Sequence, residues 1–78
     1  MNQEEFISQQ FDQLGVIPYR PQQGMPNPKS VDYPMTFNSV EQLDNLQELL
    51  AANQEFLQIK NVQWNSPGHY DHLHVDFY

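Results

Sequence analysis

Seventy-eight residues, 38% of them hydrophobic and none of them cysteine, allow one small core without disulfide staples and exclude thiolate zinc sites, redox cysteine motifs and a cysteine nucleophile. Ten acidic residues against Arg20, Lys29 and Lys60 leave a net charge of -7 and a pI of about 4.4, so neither nucleic acid nor a membrane surface is an expected partner: each attracts a basic patch, which three scattered cations cannot form. With a mean hydropathy of -0.72, the chain is a candidate for help from a metal, a partner or self-association.

No apolar run approaches the roughly 20 residues of a transmembrane helix. The start, Met1-Asn2-Gln3-Glu4-Glu5, has neither the basic region nor the apolar core of a signal peptide, so the expected location is the cytoplasm. Along the chain, Phe6, Ile7, Phe11 and Leu14 fall at helical spacing with acids in the first turn and Gly15 as a stop. The first 15 residues therefore read as an amphipathic helix docking on the domain's own core.

Five of the six prolines, Pro18, Pro21, Pro26, Pro28 and Pro34, lie between Val16 and Met35. Proline removes amide donors and pushes the preceding residue to extended conformations, so residues 16–36 read as a loop or extended arm in which no regular element of useful length fits. Tyr19, Met25, Val31 and Tyr33 would pin this arm to a surface, and Tyr19, Met25 and Tyr33 are its candidate partner contacts. Ser39 followed by Gln42 then matches a capping box, with Phe37 near the position of a hydrophobic staple. Val40, Leu43, Leu46, Leu49 and Leu50 share one face of a predicted helix over 40–53.

After Asn53 the apolar period changes from 3.6 to 2. Leu57 and Ile59 alternate with polar residues, and the phase slips at Asn61 so that Val62 and Trp64 carry it on, which predicts a bulge. Asn65-Ser66-Pro67-Gly68 is a turn by composition. In the last segment Leu73, Val75 and Phe77 point one way and His72, His74, Asp76 and Tyr78 the other. The expected fold is α+β, one domain over 1–78, with the second helix backing an antiparallel hairpin of 57–64 with 71–78.

All three histidines lie within six residues: His69, His72 and His74, with Asp71 and Asp76 interleaved. Neutral imidazole offers a nitrogen lone pair near neutral pH and is a common metal ligand. Positions two apart on a strand share a face, so His72, His74 and Asp76 form one row, Asp71 falls on the opposite parity unless the turn rotates it, and His69 sits where the turn could bring it over the same face. The spacing permits a two- or three-imidazole metal site from His69, His72 and His74; a plain solvated strand face also satisfies it.

Pro67-Gly68-His69-Tyr70-Asp71-His72-Leu73-His74-Val75-Asp76-Phe77 resembles the last catalytic strand of the zinc-dependent D-alanyl-D-alanine peptidases and murein endopeptidases, of the lysostaphin-like metallopeptidase superfamily. The order helix, strand ending in Trp64-Asn65, turn and histidine strand is similar as well, so the resemblance covers about residues 37–77. It implies a zinc cofactor with His74 as a ligand, Asp71 as the general base that activates zinc-bound water, and His72 flanking the metal to stabilise the oxyanion; His69 matches a further histidine of the endopeptidase branch. The resemblance also implies an upstream histidine and, several residues later, an aspartate on another strand. No histidine precedes His69, and the upstream Asp32 stands in the proline-rich segment without that partner.

Three readings follow. The first is a degenerate or truncated peptidoglycan-peptidase-like domain that acts as a binding or interaction module, with His-based zinc binding and no activity alone. The second is a zinc peptidase for cell-wall peptides whose site is completed by a second subunit or by another copy in a homo-oligomer. The third is a small acidic adaptor that needs no metal.

Overall fold

The structure is a computed structural model that describes residues 2–16 and 28–78. Tyr19, Met25 and the first three prolines of the arm lie outside the described residues. The chain forms helix α1 (Gln3–Leu14), strand β1 (Ser30–Pro34), helix α2 (Val40–Ala52), a short helix α3 (Gln54–Leu57), strand β2 (Ile59–Gln63) and strand β3 (His72–Phe77). The architecture is α+β, as expected. Among the described residues, no helix is long and apolar enough to cross a membrane.

Both long helices begin where their capping residues stand. Asn2 accepts from the Glu5 amide at 2.8 Å at the head of α1, and Glu4 and Glu5 sit favourably against the positive end of the helix dipole. Gly15 closes α1 in the left-handed region, with φ 73, and its amide donates to the Phe11 and Asp12 carbonyls. In α2 the capping box is complete: Ser39 Oγ accepts from the Gln42 amide and Gln42 Oε1 accepts from the Ser39 amide. The expected staple is absent, because Phe37 is 78% exposed. Asn38 turns inward instead, and its side-chain amide donates to the Pro34 carbonyl at the end of β1, at 2.8 Å.

The sheet departs from the expected two-stranded hairpin. It has three strands in the order β1-β3-β2, all antiparallel, with the histidine strand in the centre. The added strand is β1, cut from the proline-rich segment read as an irregular arm. Pro34 is tolerated because it closes an edge strand, where a missing amide leaves no ladder bond unmade. The bulge lies where the phase slip put it, between Ile59 and Asn61. Leu57, expected to open the first strand of the hairpin, instead ends α3, and Gln58 in the left-handed region (φ 58) turns the chain into β2.

One face of the sheet makes the core. The register sets Tyr33 opposite Leu73, Val31 opposite Val75 and Ile59 opposite Phe77, and these side chains form one apolar cluster with Ile7 and Phe11 of α1 and Leu43, Leu46 and Leu50 of α2. Tyr33 is 1% exposed. It therefore serves the core and not a partner surface, since its strand parity matches Val31 and the inward row of β3. Trp64 is buried at the end of β2, and its indole N–H donates to Asp44 of α2 at 2.8 Å, which fixes helix against sheet.

Gln42 also fastens α1 to α2, since its Nε2 donates to the Leu14 carbonyl at 3.0 Å while its Oε1 serves the cap. Gln42→Glu keeps the capping acceptor and removes the donor. It is expected to destabilise the chain by about 1 kcal/mol, and Gln42→Ala by about 2, in urea unfolding. Equal stability of Gln42→Glu and the native chain would show that the tie between the helices carries nothing.

Candidate functional site

The second face of the sheet is polar and holds every histidine. Along β3 partly exposed His72, His74 and Asp76 alternate with buried Leu73, Val75 and Phe77, as the two-residue period requires. The register then chooses their neighbours. Asp32 of β1 stands opposite His74 on one side and Gln63 of β2 opposite it on the other, while Asn61 faces Asp76.

His74 is consequently held at both ends of its ring. Nδ1–H donates to Asp32 Oδ1 at 2.6 Å, and Nε2–H donates to Asp76 Oδ1 at 2.8 Å. Carboxylates only accept, so both ring nitrogens carry a proton and the side chain is an imidazolium between two anions. The hydrogen bond to Asp32 is the main cause that raises the His74 pKa above its ordinary 6.5; partial burial opposes it, and Asp76 adds to it. This aspartate, which the sequence left stranded in the arm, is the residue that strand β1 delivers to the site.

His69 and His72 are held differently. His72 Nδ1–H donates to the Asp71 carboxylate at 2.7 Å, and His69 Nδ1–H donates to the Pro67 carbonyl at 3.2 Å. The turn does bring Asp71 to the histidine row, through its immediate neighbour. The hydrogen bond from His72, with a smaller contribution from its own backbone amide, holds the exposed Asp71 carboxyl below its ordinary 3.8. The three rings cluster: centroids are 5.0 Å apart for His69 and His72 and 5.7 Å for His69 and His74, both pairs tilted, and 6.5 Å for His72 and His74, which meet edge-on.

The sequence thus identified the row His72, His74, Asp76 and the approach of His69, but missed Asp32. The available signal was the alternation Ser30-Val31-Asp32-Tyr33, which the flanking Pro28 and Pro34 masked. No family model, characterised protein or solved structure matches the chain.

The zinc that the resemblance implies has three protein ligands. Among the described residues, no group of three or more histidine, aspartate or glutamate side chains is placed to hold a metal ion. His74, the implied ligand, offers no lone pair while both of its nitrogens donate. The described residues therefore do not fit a three-ligand zinc centre.

A pH dependence follows from the clamp. Because the folded His74 pKa lies above the unfolded value, its stabilisation is fully present below about pH 6.5 and is lost as pH rises through the folded pKa. Urea midpoints measured in EDTA are expected to fall across that window for the native chain and to stay flatter for His74→Gln. Parallel profiles for the two chains would mean that the ion pairs contribute nothing to folding.

Proposed function

We propose that the chain is a degenerate peptidoglycan-peptidase-like domain that binds a cell-wall-type peptide and does not hydrolyse it alone. One observation carries the reading: both ring nitrogens of His74, at the position of a zinc ligand in the motif, are hydrogen-bonded to carboxylates, Nδ1 to Asp32 and Nε2 to Asp76. Asp32 on a neighbouring strand beside His74, and Asp71 bonded to His72, support the peptidase-like part of this reading. The degenerate part is supported by the sequence, in which no histidine precedes His69, and by the hydrogen bonds of His74, which leave it no lone pair for a metal. A water-activating centre is thereby replaced by a fixed pattern of charge on an open sheet face.

Such a face suits recognition of the cationic end of a peptide. The carboxylates of Asp32, Asp71 and Asp76 outnumber the one imidazolium, and Asp71, 89% exposed at its side chain, is open to an ammonium group. Apolar surface is at hand, since Tyr70 is 61% exposed and the Met35 amide donates to the Asp71 carbonyl, which places a second exposed apolar side chain beside that turn.

The test is a muramyl pentapeptide ending in D-alanyl-D-alanine, added with and without zinc. The expected result is chemical-shift change confined to β1, β3 and the turn 65–71, with no release of D-alanine. Release that zinc supports and His74→Ala abolishes would make the chain a peptidase, and an unchanged spectrum would remove the binding role.

A further inference from the structure

The geometry points to a surface site for a single transition-metal ion chelated by Nε2 of His69 and Nε2 of His72. This site excludes His74 and stands whether or not the chain binds a peptide. The hydrogen bonds sort the three imidazoles into two kinds. In His69 and His72 Nδ1 faces an acceptor, the Pro67 carbonyl and the Asp71 carboxylate respectively, so the tautomer that these bonds select presents its lone pair at Nε2. In His74 both nitrogens are donors and neither is available.

A metal-ligating histidine characteristically donates its other ring N–H to a carbonyl or carboxylate, which fixes the tautomer and makes the ligating nitrogen more basic. His69 and His72 each have that partner. Their spacing also suits one ion. With metal–nitrogen bonds of about 2.0–2.1 Å, two imidazoles at neighbouring coordination positions stand with ring centres roughly 5 Å apart. Here the separation is 5.0 Å, with the rings tilted by 51°.

The backbone holds both donors in place. His72 opens the central strand, and the His69 turn is closed by its own main chain: the His69 amide donates to the Ser66 carbonyl at 2.7 Å, and the His69 carbonyl accepts from the Asn65 amide at 2.9 Å. Asn65 at φ 58 and Gly68 at φ 83 supply the left-handed backbone that this closure needs. Both imidazoles remain partly exposed, so an ion can reach them and keep water at its other positions. Two imidazoles without thiolate suit the borderline divalent ions, with Cu2+ bound more tightly than Zn2+.

Cu2+ titrated into the full chain, followed by calorimetry and by electron paramagnetic resonance, tests the site. One bound ion with imidazole nitrogen couplings is expected. His69→Ala, which changes only an exposed turn, is expected to weaken binding at least about 10-fold, and Asp71→Asn also by about 10-fold through the lost partner of His72. His74→Gln, checked for fold by circular dichroism, should stay within about 2-fold of the native affinity. Absence of binding, indifference to His69→Ala, or loss of binding in a folded His74→Gln chain would overturn the proposal.

Discussion

The two-residue period of β3, set in the middle of the sheet, is the constraint on which the remaining features depend. A central strand has neighbours on both sides, so its alternation fixes what each of them presents. Leu73, Val75 and Phe77 on one face require Tyr33, Ile59 and the two long helices over them. His72, His74 and Asp76 on the other face are left partly exposed. A shift of one residue in the β1 pairing would carry Tyr33 out of the core and Asp32 away from His74 together. Core and polar site therefore share one register.

That coupling explains how a short chain tolerates charged groups so close to its core. The imidazolium of His74 costs desolvation, and two carboxylates offset it through short hydrogen bonds, one along the strand and one across to β1. The bond to Asp32 joins an edge strand to the centre by side chains as well as by main chain. The same protons that secure His74 to its neighbours leave its ring without a lone pair to offer a metal.

How much of this could be read from the residues depends on how local the signal was. The α2 capping box, the strand alternation 72–77 and the bulge near Asn61 are each specified within a few positions, and each is found. Strand β1 was missed because five prolines dominate its surroundings, and whether Pro34 ends a strand or interrupts one depends on which side of the sheet is open. That is settled only by the long-range pairing with β3. Asp32 was missed for the same reason: it is separated from His74 by 42 positions and acquires its role through register alone. Phe37 looked like a staple, but the buried position before the cap belongs to Asn38, whose amide satisfies the Pro34 carbonyl.

The central claim is that Asp32 and Asp76 hold His74 as an imidazolium, and the ring nitrogens of His74 report it directly. Nitrogen-15 spectra of the metal-free chain near neutral pH are expected to show both Nδ1 and Nε2 of His74 in the protonated range, with the Nδ1 proton protected from exchange and that protection lost in Asp32→Asn. A His74 ring with one unprotonated nitrogen under those conditions, or a spectrum indifferent to Asp32→Asn, would contradict the account.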